Sequence, residues 1–182
     1  IAQIARVHPQ SYIDRIKEKS RSGGGEVGLN TFIGNEGFDI ARISTGGAIS
    51  VMDRVLDGRV RNGYALVRPP GHHAEAERPL GFCLINTIAI VAREAQRRYG
   101  ADRVAIVDFD VHHGNGTEDI LSGDERVLMC GIFQHPFYPY SGTDKPAHNM
   151  CNVPLASGCG GEEFRDAVTQ VWMPRLREFK PQ

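Results

Sequence analysis

The sequence lacks the features that mark several large classes of protein. Its 182 residues include 21 Lys and Arg against 22 Asp and Glu, and the formal charge of −1 leaves no basic excess for binding nucleic acid. No apolar run approaches the ~18 residues of a membrane-spanning helix, and nothing at the start resembles a signal peptide. We therefore expect no direct binding to nucleic acid or membranes.

Cysteine is scarce and irregularly spaced. The four residues Cys83, Cys130, Cys151 and Cys159 contain no Cys-x-x-Cys pair, which argues against a disulfide framework and against a structural zinc site. A reduced, cytoplasmic protein is the resulting prediction. The apolar fraction of 41% and the charged fraction of 24% are ordinary for a globular chain that is long enough to bury one core.

Both ends of the sequence suggest an excerpt. There is no initiator Met, and the first four residues have the pattern of the inside of a helix. At the other end, Pro181 follows a helical pattern at a point where a further strand would be expected. We interpret residues 1–182 as a single partial domain of a longer protein.

Helical and strand patterns alternate along the chain. Spacings of this size predict βαβ units, and hence an α/β fold in which helices flank a mainly parallel sheet. The predicted helices are 9–19, 37–56, 86–99, 117–121 and 162–179, the predicted strands are 64–67, 104–109 and 127–133, and 20–28 is a predicted flexible loop.

The residues suited to chemistry are concentrated in two short segments. His72 and His73 are adjacent in the first, and Asp108, Asp110 and His112 occupy alternate positions in the second. Alternate side chains of an extended segment share one face, and two carboxylates with an imidazole are a ligand set that zinc accepts. Two further histidines could handle the protons of a metal-activated water, so the pattern predicts metal-assisted hydrolysis.

The position of these segments supports a site. Each follows a predicted strand, and in open α/β sheets ligands bind beyond the carboxyl ends of the strands. The isolated His8, His135 and His148 are more often structural or surface residues than catalytic ones. Two histidine doublets with neighbouring glycines are much harder to attribute to chance.

Three sequence blocks resemble the zinc-dependent histone deacetylase superfamily. They are residues 68–75 (RPPGHHAE), 81–83 (GFC) and 108–117 (DFDVHHGNGT), and the similarity extends over 31–182. The Arg-Pro-Pro-Gly lead and Asn115 are most similar to the class II branch, which includes bacterial deacetylase-like amidohydrolases and acetylpolyamine amidohydrolases. The resemblance implies an arginase/deacetylase-like three-layer fold with a catalytic zinc at the foot of a narrow tunnel.

The resemblance also implies metal ligands. By position, Asp110 and His112 match two of the three protein ligands of zinc. A structural potassium ion is implied as well, lined by the backbone of Asp108, Asp110 and His112. Gly131 stands where a Ser is frequent in the family, which is a departure at the potassium site.

The same resemblance assigns the catalytic residues. His73 matches the general base, and His72 matches an electrostatic partner that Asp108 orients. Asn115 matches the partner of His73. Some branches have Asp at that position, and the neutral amide should leave His73 less basic.

The substrate-binding positions are implied more loosely. Phe82 matches one aromatic wall of the slot that holds an acyl-lysine stem, and the Gly81 carbonyl matches an acceptor for the substrate amide. Tyr138 matches the second wall, where Phe is usual, with core packing as the alternative. Asn30 matches a rim residue that binds substrate backbone, with a plain loop residue as the alternative.

Two elements of the family pattern are missing. The third zinc ligand, an Asp in a Ser-Ala-Gly-Phe-Asp-like strand, is expected shortly after residue 182, and the oxyanion-binding Tyr follows later. Asp124, Glu125 and Asp144 lie in turn or loop patterns and are not convincing replacements. We therefore expect this excerpt alone to bind zinc poorly and to be inactive.

Three hypotheses follow. The first is a zinc-dependent deacetylase that acts on acylated lysine in peptides or proteins, or on acetylpolyamines. The second is a catalytically silent member that binds an acylated ligand or protein partner, motivated by the missing ligand and Tyr. The third keeps the sheet but uses manganese, as ureohydrolases do, although those use more Asp ligands and lack the RPPGHH block. The substrate, the acyl length and the oligomeric state stay open.

Overall fold

The structure is a computed structural model that describes residues 1–182. It divides after Gly100 into a first unit, Ile1–Gly100, and a second unit, Ala101–Gln182. Each unit has its own secondary structure and its own buried residues. No helix combines the length and the apolar character that crossing a lipid bilayer requires.

Amphipathic helices are the main regular structure of the first unit. In the helix at Gln10–Arg21, the buried Tyr12, Ile13 and Ile16 recur at helical spacing and form its inner face. Ile13 and Ile16 are each 1% exposed, and burying such a side chain contributes about 1.5–3 kcal/mol. The elements are a 3₁₀ turn (Ile4–Arg6), α1 (Gln10–Arg21), β1 (Gly25–Gly28), β2 (Thr31–Ile33), α2 (Gly37–Leu56) and α3 (Thr87–Tyr99).

Local signals fix both ends of α3. The side chain of Asn86 caps the helix by accepting a hydrogen bond from the Ala89 amide at 3.1 Å. Gly100 ends it with φ of +67°, a left-handed conformation that glycine adopts without strain. The start of α3 is therefore a fixed point in the first unit.

A three-stranded parallel sheet forms the centre of the second unit. The strand order is β3-β4-β5, and the central strand is buried along nearly its whole length. Helices pack Ala167 and Trp172 against Leu128, Cys130 and Ile132 of the central strand. The elements are β3 (Val104–Asp108), α4 (Asn115–Leu121), β4 (Val127–Gln134), β5 (Met150–Leu155), α5 (Gly161–Ala167), a π-helical turn (Val168–Trp172) and α6 (Met173–Phe179).

The parallel sheet with flanking helices confirms the predicted fold class. The predicted helices are present with small shifts at their ends, and a π-helical turn divides the last of them into α5 and α6. The strand predicted at 64–67 is wrong. That segment lies outside both sheets, with Tyr64 84% and Leu66 87% exposed. An apolar run favours a strand, but the strand also needs a neighbour for its backbone hydrogen bonds.

Three strands, β1, β2 and β5, were not predicted. Part of the predicted loop at 20–28 forms β1, which pairs with β2 in an antiparallel hairpin. The sequence also gives no clear signal for β5, because Asn152 and Pro154 interrupt its apolar pattern.

Candidate active site

The candidate site residues fall into two groups, one in each unit. The first unit contains Asn30, His72, His73, Gly81 and Phe82. The second unit contains Asp108, Asp110, His112, Asn115 and Tyr138.

The histidine doublet of the first unit follows a tight backbone contact. A Cβ on Gly71 would lie 2.7 Å from the Thr87 nitrogen and 2.8 Å from the Ile85 oxygen, so only glycine fits against the start of α3. The ring centroids of His72 and His73 are 4.0 Å apart, with planes tilted by 41°. His73 is 4% exposed, whereas His72 is half-buried. The doublet therefore pairs a buried imidazole with a more accessible one.

The predicted substrate-contact residues of the first unit lie beside one another. The Phe82 amide meets the Asn30 carbonyl at 3.3 Å and the Thr31 hydroxyl at 3.2 Å. The Phe82 ring is 65% exposed on a backbone with φ of +65°. The Gly81 carbonyl accepts a weak hydrogen bond from the Cys83 thiol at 3.4 Å. The β1–β2 turn thus fixes the backbone of an exposed aromatic ring.

In the second unit, two side-chain turns follow β3. The Asp110 amide donates to Asp108 Oδ1 at 3.1 Å, and the His112 amide donates to Asp110 Oδ1 at 2.8 Å. His112 Nδ1 lies 2.9 Å from the same Asp110 oxygen. Because β3 ends at Asp108, these turns, and not extended alternation, bring the carboxylate and the imidazole together.

The Asp110 and His112 donors fit a shared metal ion in type and in place. Zinc binds carboxylate oxygen and imidazole nitrogen at about 2.0–2.2 Å, so two donors on one tetrahedral ion lie about 3.3 Å apart. The observed separation is 2.9 Å, and the two side chains are 48% and 33% exposed. No group of three His, Cys, Asp or Glu side chains in the structure could hold a metal. As metal ligands the pair would account for two of the three protein ligands of a catalytic zinc site, and this role stays a prediction.

The implied potassium site stays a prediction. Asp108 of β3 is the register partner of Gly131 in β4, so the end of β3 lies directly beside the position that departs from the family pattern. Gly131 has no side-chain oxygen to contribute. Potassium at this point would depend on backbone carbonyls.

Two aromatic rings contact His112. Phe137 stacks on it with centroids 5.1 Å apart and an interplanar angle of 11°. Tyr138 meets it edge-on at 5.8 Å and 80°. Phe137 is 38% exposed and Tyr138 is partly buried, so the ring predicted as a tunnel wall also packs against the candidate metal ligand.

A buried cluster next to His112 was not predicted from the sequence. His113 is 2% exposed; its Nε2 lies 2.8 Å from Glu118 Oε2, and its Nδ1 lies 2.8 Å from the Ser141 hydroxyl. Asn152 donates to the same Glu118 oxygen at 2.7 Å. The sequence contains one signal for this cluster: Glu118 lies in the first turn of α4, the short helix that follows His112 and His113.

The cluster sets the charge of Glu118. Burial alone would raise the pKa of this carboxyl group, but the hydrogen bonds from His113 and Asn152 outweigh burial and lower the pKa. Gly142 packs against the cluster, since a Cβ there would lie 2.7 Å from both His113 Cδ2 and Phe133 Cζ. Glu118 is therefore an ionised anchor for the backbone next to His112.

Asn115 begins α4 and is 8% exposed. Its amide donates to the His113 carbonyl at 2.9 Å, which links the helix start to the preceding doublet. Its role as partner of His73 stays a prediction.

Comparisons with known proteins agree on one family. Residues 1–182 match the family model of the histone deacetylase domain. A histone deacetylase-like amidohydrolase of Pseudomonas aeruginosa is 40% identical over 186 residues, which cover 98% of this chain and 49% of that protein. A polyamine deacetylase of Rattus norvegicus, HDAC10, is 40% identical over 157 residues, which cover 80% of this chain and 27% of that protein.

A solved structure agrees as well. The crystal structure of the HDA15 HD domain matches with a TM-score of 0.90 and 34% identity, covering 99% of this chain and 54% of that one. The chain spans about half the length of the curated relatives it matches, with 49% of the Pseudomonas protein and 52% of a probable deacetylase from Archaeoglobus fulgidus.

Proposed function

We propose a function that proceeds from one premise: the chain belongs to the histone deacetylase family. The complete protein is a zinc-dependent amidohydrolase that removes an acetyl or related acyl group from acyl-lysine or from an acylated polyamine. The observation that carries the proposal is the convergence of the Asp110 carboxylate and the His112 imidazole within 2.9 Å, inside the motif that resembles the family.

The second unit contributes the metal ligands. Asp110 and His112 would hold the ion, and the turns that begin at Asp108 fix their backbone. When bound, zinc would polarise the amide carbonyl and lower the pKa of a bound water to about 7. The ionised Glu118 is bonded to His113 and Asn152 and so holds the residue next to His112 in place.

The first unit contributes the proton transfer. His73 would take a proton from the attacking water and return it to the leaving amine, and such acid–base help is worth roughly 10²–10⁴-fold. Two imidazolium rings with centroids 4.0 Å apart would repel each other, so the doublet favours one proton at a time. His72, the more accessible ring, would act as the electrostatic partner of His73.

The exposed aromatic ring of Phe82 supports the proposed substrate class. Acyl-lysine and acylated polyamines both present an unbranched methylene chain that ends in a secondary amide. The Phe82 ring would pack along such a methylene chain. Asn30 and Gly81 lie next to the backbone of Phe82. By the resemblance, Tyr138 would be the second aromatic wall.

The test uses the complete protein. We expect one zinc per chain and turnover of an acetyl-lysine peptide or an acetylated spermidine, assayed side by side. Asp110→Asn should lose both the zinc and the turnover, whereas the exposed Cys159→Ser should keep both. A complete protein that binds no zinc, or an Asp110→Asn variant that keeps full activity, would refute the proposal.

A second candidate is a silent member that binds an acylated ligand without hydrolysing it. The observation in its favour is the exposed Phe82 ring, which could hold an acyl chain without any metal. Calorimetric titration of the complete protein with the acetylated peptide distinguishes the two: saturable binding without product release favours the silent binder, and product release favours the enzyme.

A further inference from the structure

A buried histidine far from the doublet in sequence is held by two backbone groups. His8 is 1% exposed, with Nε2 3.0 Å from the Asn86 amide nitrogen and Nδ1 2.9 Å from the Ala76 carbonyl oxygen. A backbone amide can only donate and a carbonyl can only accept, so Nε2 is the acceptor and Nδ1 carries the hydrogen. These partners select a single neutral tautomer of His8.

Asn86 extends this arrangement to the residue after His73. Its Nδ2 donates to the Ala74 carbonyl at 3.0 Å, and its side chain is fully buried. Ala74 in turn donates from its amide to the Gly71 carbonyl at 3.0 Å. The segment on both sides of the doublet is therefore tied to the start of α3.

Tyr12 sets the orientation of the His8 ring. The two rings stack with centroids 4.9 Å apart and an interplanar angle of 19°. The Tyr12 hydroxyl donates to the Leu84 carbonyl at 2.7 Å, and burial raises the pKa of Tyr12, which keeps the donor proton in place. We call His8, Tyr12 and Asn86 together the His8 brace.

We propose that His8 is a positioning residue for His73, acting through Asn86 and the Ala74 and Ala76 carbonyls. The inference rests on the proposed function, in which His73 is the general base. All members of the His8 brace are buried and hydrogen-bonded. The loop that carries His73 therefore cannot move far without leaving a buried polar group without its hydrogen-bond partner. Small errors in the position of a catalytic group are costly, since about 1 Å can cost roughly 100-fold in rate.

Three substitutions of His8 in the complete protein separate its two hydrogen bonds. His8→Leu removes both, His8→Asn keeps a donor near the position of Nδ1, and His8→Gln puts an amide oxygen near the position of Nε2. His148→Gln is the matched control, because His148 is exposed and has no part in the His8 brace.

Steady-state kinetics give the first readout. We expect His8→Leu to lower kcat roughly ten- to hundredfold with KM changed by less than about twofold, because the base moves while the substrate-contacting ring stays. His8→Gln should recover part of the loss, which a purely structural role would not predict. If His8→Leu does not fold, His8→Asn is measured in its place. A kcat equal to that of the unmodified protein would overturn the inference.

Hydrogen exchange and NMR of histidine-labelled protein give a readout that does not require activity. We expect the neutral tautomer with hydrogen on Nδ1 at His8, and faster amide exchange at Ala74 and Asn86 in His8→Leu but not in His148→Gln. The opposite tautomer, or unchanged exchange, would refute the brace. An inactive complete protein would refute the proposed function while these measurements still decide the inference. An active protein whose kcat is insensitive to His8 would refute the inference alone.

Discussion

The loop that carries His73 and the loop that carries His112 are each fastened by a buried histidine, but the partners differ. His8 meets a backbone amide and a backbone carbonyl, both uncharged. His113 meets the carboxylate of Glu118. Uncharged partners of one donor and one acceptor require a neutral ring, whereas a carboxylate tolerates a charged one. The two loops therefore depend on different properties of their surroundings.

This difference matches the proposed division of labour. The loop of the first unit holds His73, the proposed general base, whose charge changes in every catalytic cycle. The groups that support this loop are uncharged, so they do not oppose that change. The loop of the second unit holds the candidate metal ligands, and its support is the contact between His113 and the ionised Glu118. The predictions below test this contrast.

The largest expected effect separates proton transfer from metal binding. His73→Ala should lower kcat for deacetylation by roughly 10²–10⁴-fold, because it removes the general base. Zinc content, measured on the same preparation by atomic absorption, should stay equal to that of the unmodified protein, since the ligands lie in the other loop. Intact turnover in His73→Ala would contradict the assigned role, and loss of zinc would contradict the separation of the two loops.

The next-largest effect concerns the stability of the loop that carries His112. Glu118→Ala removes the acceptor of both His113 and Asn152, and leaving a buried donor unsatisfied costs about 1–3 kcal/mol. Urea denaturation should show that decrease in the free energy of unfolding. Glu125→Ala is the control, because Glu125 is exposed in the turn before β4 and should change the stability by less than about 0.5 kcal/mol. Equal effects from the two substitutions would show that the cluster of His113, Glu118 and Asn152 does not anchor the loop.

A smaller effect should appear at acid pH. The pKa of Glu118 is lowered from its ordinary value of 4.5 in the folded protein, so its contribution to stability is complete above 4.5 and is lost as the pH falls through the folded value. Glu118→Gln should flatten the decrease in stability over this acid range, measured as Tm against pH. The effect is smaller because a protonated Glu118 still accepts from Asn152. A His8→Asn variant should leave the acid slope unchanged, and an equal flattening there would contradict the contrast.

The sequence singles out the candidate reactive residues but not the residues that support them. His72, His73, Asp110 and His112 are uncommon residue types in a specific pattern, so local spacing is enough to select them. The partnership of His8 with Asn86 joins positions 78 residues apart, which no local pattern encodes. Supporting contacts of this kind depend on tertiary packing.

The missed strand and the missed cluster share a cause. Asn152 interrupts the apolar pattern of β5, so sequence reasoning passes over the strand. In the structure the same amide donates to Glu118 and to the Gly142 carbonyl, at 2.7 Å and 2.9 Å. Asn152 therefore weakens the strand signal in the sequence and, in the structure, helps to hold the cluster next to His112. The wrong strand at 64–67 shows the converse: an apolar pattern alone does not provide a hydrogen-bonding neighbour.

The smallest effect divides the two roles of Asn86. Asn86→Ser keeps a hydroxyl acceptor for the Ala89 amide at the start of α3 but loses the donor to the Ala74 carbonyl, whereas Asn86→Ala loses both. The two variants should differ in the free energy of unfolding by the value of the cap, about 1 kcal/mol. Their Ala74 amides should nevertheless exchange at similar rates, because the bond to the loop is absent from both. If the Ala74 amide were as protected in Asn86→Ser as in the unmodified protein, the first loop would be held by the helix cap, and its contrast with the carboxylate-anchored second loop would have to be redrawn.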